Sequence, residues 1–220
     1  MNQYGNLKPR SGSGLIKVCG MTQMDQVLYL DQLGVDFIGF IFVPGSPRAV
    51  KPEKVAEVRN NLKNAKTVGV VKNPSLSDLH LWASSAKIDY WQFHGAESPD
   101  FMDQSGLPYF QVIGMSPEGI PQRQVHPHAS YYLYDTQVGM SSGGLGKIFN
   151  WAELKKINST RPIFLAGGLN PDNVEQAILE AAPQGVDLNS GVEDSPGVKN
   201  LEKVQMAVEK ARSAWIKLPT

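Results

Sequence analysis

Four side chains suited to acid–base or anion-binding chemistry come at or just after the ends of short apolar runs: Cys19, Arg48, His94 and Asp135. A cysteine thiolate can act as a base toward a C–H bond where neighbouring groups lower its pKa. An aspartate beside an apolar surface can stay protonated and act as a general acid. Arginine binds carboxylates and phosphates through paired hydrogen bonds, and histidine can donate one. These residue types indicate proton transfer on an anionic substrate.

Each of the four also has an ordinary structural interpretation. A lone cysteine is most often a small buried apolar side chain. Arg48 could be a solvated surface residue, His94 could bond to backbone at a strand end, and Asp135 could cap a turn. Their shared position after predicted strands favours the functional interpretation, provided that those strand ends meet in the fold.

Two stretches in the last third of the chain share one sequence pattern, in which glycine and small polar residues follow a short apolar strand. The residues that follow these strands include Gly167, Gly168, Ser190 and Gly191. Glycine lets the backbone turn sharply and approach a ligand, and two adjacent loops with free N–H groups are typical of a phosphate site. Asn170 is predicted to cap the helix after the first glycine pair, with Pro171 in its first position.

Apolar strands alternate with helical patterns roughly every 20 to 30 residues, which predicts parallel strands joined by crossover helices. The predicted strands are residues 15–18, 36–42, 67–71, 89–93, 108–113, 131–134, 163–166 and 186–188. Eight such units favour a single α/β TIM barrel over an open doubly wound sheet, whose phosphate loop usually comes first. In a barrel, active sites form at the carboxyl ends of the strands, and the phosphate site follows strands seven and eight.

Two segments depart from this pattern. Residues 116–130 contain three prolines and little periodicity, so we expect a loop with at most one turn of helix and a short or irregular fifth helix. Residues 1–14 are polar and rich in glycine and serine, and we expect a flexible extension there. Residues 15–220 are then the catalytic barrel domain.

The composition excludes several classes of protein. The chain has 220 residues, 41% hydrophobic and 19% charged, with a net charge of zero, as expected of a globular protein. The absence of a basic excess argues against nucleic-acid and anionic-membrane partners. A single cysteine excludes an internal disulfide and is compatible with a reducing compartment. Without an apolar signal-like segment at the start or a run long enough to cross a membrane, we predict a cytoplasmic protein.

Some other polar residues are assigned no chemistry. His126 and His128 flank a proline and could chelate a metal, but no carboxylate partner at a useful spacing is evident, so we predict no metal site. Asp187 and Glu193 are expected to be structural or capping residues, and His80 a surface residue of a helix.

From residue 16 to residue 199, the chain resembles phosphoribosylanthranilate isomerases of tryptophan biosynthesis. The matching blocks are Lys17–Thr22, Gly39–Phe42, Ser46–Arg48, Gln92–Gly95, Asp135 with Gly143 and Gly144, Leu165–Pro171 and Ser190–Glu193. No single block is diagnostic, but their order and spacing together are specific.

The resemblance implies an Amadori rearrangement of a sugar phosphate without a cofactor or metal. We expect a monomer or homodimer. It places the general acid on Asp135 and the general base on Cys19. It places the contact to the anthranilate carboxylate on Arg48, and the phosphate on N–H groups around Gly144, Gly168 and Gly191.

Three positions depart from the family pattern. A threonine is usual where Leu145 stands, an aspartate where Asn150 stands, and a serine where Asn189 stands. Leu145 removes a hydroxyl near the expected phosphate. Two alternatives stay open: another sugar-phosphate isomerase or synthase on a phosphate-binding barrel, and a non-catalytic binder of a phosphate ligand.

Overall fold

The computed structural model describes residues 6–7, 13–116, 118–135 and 150–219. Eight parallel strands pair in chain order and close into a barrel when the first strand pairs with the eighth. The strands are β1 (Leu15–Val18), β2 (Phe37–Ile41), β3 (Lys66–Val71), β4 (Tyr90–Phe93), β5 (Tyr109–Gly114), β6 (Tyr131–Asp135), β7 (Ile163–Ala166) and β8 (Gly185–Leu188). The predicted TIM barrel is confirmed.

Helices surround the barrel on its outer side, where a first apolar core lies between helices and strands. Those in the described residues are α1 (Met24–Leu33), α2 (Pro52–Arg59), α3 (Leu76–Ala86), α4 (Pro99–Asp103), α5 (Val174–Ala181) and α6 (Leu201–Lys217). A 3₁₀ helix at Trp151–Lys156, capped by the Asn150 side chain, precedes β7. A small hairpin of β9 (Glu193–Ser195) and β10 (Val198–Lys199) follows β8.

The connection from β5 to β6 matches the expectation for residues 116–130. Its described residues form turns and an isolated bridge between Met115 and Pro121, without a helix. None of the helices in the described parts of the chain is long and apolar enough to cross a membrane.

The helix after β7 is assigned three residues later than predicted, although Asn170 makes the predicted capping bonds: its side chain accepts from the Asp172 N–H, and its carbonyl accepts from the Val174 N–H at 3.0 Å. Helix α5 begins at Val174, and the residues from Asn170 to Asn173 form a turn before it. Asn173 Oδ1 accepts from the Asn170 N–H at 2.8 Å, and Asn170 Oδ1 accepts from the Asp172 N–H at 2.8 Å. The Asn170 side chain thus satisfies an N–H group that lacks a partner within the helix, which is what a helix cap does.

The floor of the barrel is a cluster of aromatic rings. Alternate residues of each strand point inward, so one ring comes from each of five strands. Ring centroids lie 4.5 to 6.2 Å apart, mostly edge to face. The rings belong to Phe37, Tyr90, Phe110, Tyr131 and Phe164.

On β1 and β8 the inward positions become polar and then reach the mouth, whereas the next inward residues of β5, β6 and β7 stay apolar. Strand β1 carries Leu15, then Lys17, and Cys19 follows it. Strand β8 carries Asp187, and Asn189 follows it. On these two strands the period of two therefore places Lys17 and Asp187 in the barrel interior and Cys19 and Asn189 at its mouth.

Of residues 1–14, the structure describes Asn6, Leu7, Ser13 and Gly14. Leu7 packs against the aromatic floor, and its N–H donates to the Tyr131 hydroxyl at 2.5 Å. The other residues of the predicted extension lie outside the described part of the chain.

We expect Phe37→Ala to lower the free energy of unfolding by about 3–5 kcal/mol, because Phe37 contacts the other four rings of the floor. Urea denaturation measures the change. Leu81→Ala on α3, where Leu81 is 62% exposed, is the control and should stay within about 0.5 kcal/mol of the parent. Equal effects of the two substitutions would contradict the proposed floor.

Candidate active site

A cavity of about 240 Å³ opens at the carboxyl ends of the strands. Six of the sequence-predicted site residues line it: Cys19, His94, Asp135, Gly167, Gly168 and Ser190. Arg48 and Gly191 lie outside its lining, and Gly144 lies outside the described residues. The ends of β1, β4, β6, β7 and β8 therefore meet at one place.

Cys19 is buried, with 3% of its surface exposed. A Cβ atom at Gly39 on the neighbouring strand would lie 2.6 Å from the Cys19 sulfur, so only glycine leaves room for the thiol. Burial raises the pKa of Cys19, and the positive charge of Lys17 only partly opposes this effect. In the ligand-free site, Cys19 is consequently a neutral thiol at neutral pH.

Lys17 and Asp187 form a buried ion pair beneath Cys19. The distance from Lys17 Nζ to Asp187 Oδ2 is 2.9 Å, and the two side chains are 0% and 7% exposed. Burial alone would lower the pKa of Lys17, but attraction to Asp187 and to Cys19 raises it. Lys17 therefore stays protonated and places a fixed positive charge below the thiol.

Asp135 and His94 face each other on the opposite wall. The distance from His94 Nε2 to Asp135 Oδ2 is 3.8 Å, and the side chains are 32% and 16% exposed. Asp135 ends β6, and His94 follows β4, so both reach the cavity from strand ends. A carboxyl group here is open to a ligand in the cavity and has a titratable neighbour.

The two glycine loops are interlocked. Gly167 and Gly168 have φ angles of +92° and +70°, which residues with a side chain rarely adopt. The Gly168 carbonyl accepts from the side-chain amides of Asn170 and Asn173, at 3.3 and 3.0 Å. A Cβ at Gly191 would lie 2.1 Å from the carbonyl oxygen of residue 169, so the loop after β8 packs directly on the loop after β7.

Arg48 is held beside the mouth by a carboxylate. Its Nε and Nη2 donate to Glu193 Oε1 and Oε2 at 2.9 and 2.7 Å, and Lys199 Nζ donates to Glu193 Oε1 at 2.8 Å. Burial would raise the pKa of Glu193, but these hydrogen bonds outweigh it and lower the pKa to about 2. Glu193 thereby fixes the guanidinium next to Gly20, where a Cβ would lie 2.8 Å from Arg48 Cδ.

Several lining residues were not predicted. Gln92 and Asp187 line the cavity, and Gln92 Oε1 and Asp187 Oδ1 are buried without a hydrogen-bond partner among the described residues. Asp187 was expected to be structural, and it is half of an ion pair while also facing the cavity. The sequence feature that could have identified Gln92 is the strand period of two, which puts Gln92 on the same side of β4 as His94.

A family model for N-(5'-phosphoribosyl)anthranilate (PRA) isomerase matches residues 16–210. The chain belongs to this family. The N-(5'-phosphoribosyl)anthranilate isomerase of Petrotoga mobilis is 36% identical over 205 residues, which are 92% of this chain and 99% of the relative.

Solved structures of the isomerase family agree in fold. The phosphoribosyl anthranilate isomerase of Thermus thermophilus superposes with a TM-score of 0.79 at 29% identity, over 90% of this chain and 98% of that one. Another structure of the isomerase, in complex with reduced 1-(o-carboxyphenylamino)-1-deoxyribulose 5-phosphate, has a TM-score of 0.76 at 27% identity, over 91% and 99% of the two chains.

Ionisation of Glu193 should make the free energy of unfolding depend on pH. Its pKa lies below the ordinary value of 4.5, so its ionised form stabilises the fold fully above pH 4.5, and that stabilisation is lost as the pH falls towards 2. In urea denaturation from about pH 6 to 3, the parent should lose stability more steeply than Glu193→Gln. Glu57→Gln, in an exposed pair with Lys54, should follow the parent. Parallel curves for Glu193→Gln and the parent would refute the assignment.

Proposed function

We propose that this protein catalyses the Amadori rearrangement of N-(5-phosphoribosyl)anthranilate to 1-(2-carboxyphenylamino)-1-deoxyribulose 5-phosphate in tryptophan biosynthesis. One observation supports the proposal: in a chain of this family, Cys19 and Asp135 line the same cavity, and residues of the loops after β7 and β8 line it too. A potential base and a potential acid thus face one ligand from opposite walls.

Asp135 opens the sugar ring. Its carboxyl proton passes to the furanose ring oxygen, the bond from that oxygen to C1′ breaks, and the nitrogen lone pair forms the C=N bond of a protonated Schiff base. The substrate's own nitrogen is the electron sink, so these steps need no metal or cofactor. His94, 3.8 Å from the carboxylate, is placed to interact with Asp135 after it has lost its proton.

Cys19 then removes the C2′ proton. The thiolate takes the proton, the electrons of the C–H bond form the C1′=C2′ bond, and the π electrons of the C=N bond pass to the nitrogen; the resulting enolamine then tautomerises to the ketone. A raised thiol pKa makes the thiolate rarer at neutral pH but a stronger base once formed. The protonated Lys17 below it attracts the negative charge.

The rest of the cavity suits the remaining parts of the substrate. Backbone N–H groups around Gly168 and Gly191 bind the phosphate in loops that are already packed together. The unpartnered oxygens of Gln92 and Asp187 accept from sugar hydroxyls. Arg48, aligned by Glu193, binds the anthranilate carboxylate with its remaining N–H groups.

The proposal also covers the catalytic domain, the oligomeric state and the cellular compartment of the enzyme. Residues 15–220 form the catalytic domain, and the protein works as a monomer or homodimer in the cytoplasm, where a reducing milieu keeps Cys19 free. A dimeric isomerase is known from Thermotoga maritima. Light scattering on the purified protein measures the oligomeric state.

The substrate's anthranilate fluorescence should decay when the purified protein is added. We expect Asp135→Asn and Cys19→Ser each to lower kcat by about 10²–10⁴-fold, because each removes a proton-transfer group. His80→Ala, on the exposed side of α3, is the control and should retain parental activity. kcat/KM should rise with pH above neutrality as the Cys19 thiolate forms.

Two outcomes would count against the proposal. Full activity in Asp135→Asn would remove the acid assignment. Tight calorimetric binding of the product with no turnover by the parent protein would instead indicate a non-catalytic phosphate binder.

Arg48→Leu should raise KM for the substrate by about 10–100-fold, because it removes a charge-assisted contact to the carboxylate. Steady-state kinetics measure the change. Arg59→Leu is the matched control, since Arg59 forms a comparable ion pair with Asp89 away from the cavity. Equal KM values for Arg48→Leu and the parent would favour a barrel acting on a sugar phosphate without an aryl carboxylate.

A further inference from the structure

Three potential metal ligands meet at the end of the barrel opposite the cavity. Asp103 is the last residue of α4, and His126 and His128 lie in the loop that leads into β6. One ligand atom of each lies within 4.8 Å of the others, the one such group of three among the described residues. The sequence expectation that these histidines have no carboxylate partner is wrong, because the fold brings Asp103 to them from 25 residues before His128.

We propose that Asp103, His126 and His128 form a binding site for a divalent transition metal ion such as Zn²⁺. Two imidazoles and one carboxylate are the ligand set of many three-ligand zinc sites and are a poor match for Mg²⁺ or Ca²⁺, which prefer oxygen. Nothing in the proposed isomerase chemistry uses this site.

The distances require little adjustment. His126 Nδ1 lies 3.6 Å from Asp103 Oδ1, and His128 Nδ1 lies 2.6 Å from Asp103 Oδ2. Zinc bonds of about 2.1 Å in a tetrahedral site separate neighbouring ligand atoms by about 3.4 Å. The His126 distance, to Oδ1, is close to that value. His128 contacts the other carboxylate oxygen, Oδ2, and its 65% exposed side chain can rotate outward until both imidazoles reach one ion.

A hydrogen-bonded tyrosine supports the ligands from behind. The Tyr109 hydroxyl donates to Asp103 Oδ1 at 2.9 Å and lies 2.6 Å from His126 Nδ1. An ion that binds His126 Nδ1 takes the place of the Nδ1 proton, so the contact from Nδ1 to Tyr109 is given up on binding and the Tyr109 hydroxyl keeps its bond to Asp103. Outer contacts of this kind orient metal ligands and strengthen binding.

The backbone of the histidine loop is fixed from several sides. The side chain of buried Gln111 accepts from the His126 N–H at 2.7 Å, and the Tyr132 hydroxyl donates to the His126 carbonyl at 3.1 Å. The Arg161 guanidinium donates to the Pro127 carbonyl through Nε at 3.0 Å and also through Nη2. Because the loop is ordered before an ion binds, binding loses little conformational entropy.

An ion at this site would tie the end of α4 to the segment before β6. Since it binds the folded chain, it should raise the melting temperature, by about 5–10 °C at a hundredfold excess over its Kd. The cavity at the other end of the strands is separated from it by the aromatic floor, so kcat should not change when zinc is bound.

The test is titration of untagged, EDTA-treated protein with Zn²⁺ by calorimetry, with Co²⁺ absorption to report coordination. We expect one ion per chain, binding at least about 100-fold weaker in His128→Ala and Asp103→Asn, and about 10-fold weaker in Tyr109→Phe. His80→Ala is the matched control, an exposed histidine outside the cluster, and should bind zinc like the parent. Melting in EDTA checks that the variants fold.

Absence of zinc binding by the parent, or unchanged affinity in His128→Ala and Asp103→Asn, would overturn the proposal and leave the cluster as a hydrogen-bonded one. Binding that is lost in Cys19→Ser but kept in His128→Ala would also overturn it, since the ion would then occupy the catalytic cavity.

Discussion

The barrel depends on the ion pair between Lys17 and Asp187, which joins the first strand to the last. These residues are register partners across the seam where β1 meets β8, so their attraction acts at the point where the barrel closes. Removing one partner of a buried pair leaves an uncompensated charge, at a cost of about 3–5 kcal/mol. The same pair lies directly under the reactive thiol, so closure of the barrel and the electrostatics of the site share one interaction.

The layers above and below this pair follow from strand geometry. Five aromatic rings fill the barrel below it and exclude water, which strengthens the field of the Lys17 charge on Cys19. Above it, the strand ends diverge and the loops of β7 and β8 begin. The barrel thus separates a hydrophobic half that supplies stability from a polar half that supplies chemistry.

Local sequence patterns were sufficient to predict the strands and the glycine loops, because these features depend on residues that are close together in the chain. They were insufficient for contacts between distant residues. Arg48 meets Glu193 across 145 positions, and Lys17 meets Asp187 across 170. Such pairs depend on strand register, which sequence periodicity does not specify. The cap at Asn170 was predictable because it acts through the next few residues, whereas the three-residue turn between this cap and the regular part of α5 was not.

The burial of Cys19 also bears on chemical durability. Oxidants attack the thiolate, and they need access to it. In the resting protein the thiol is 3% exposed and its pKa is raised, so both conditions for sulfenic acid formation are suppressed. Gly39 keeps the sulfur recessed against the neighbouring strand. The proposed base is thereby protected from oxidation while the cavity is empty, and the enclosure that raises its pKa also prolongs its working life.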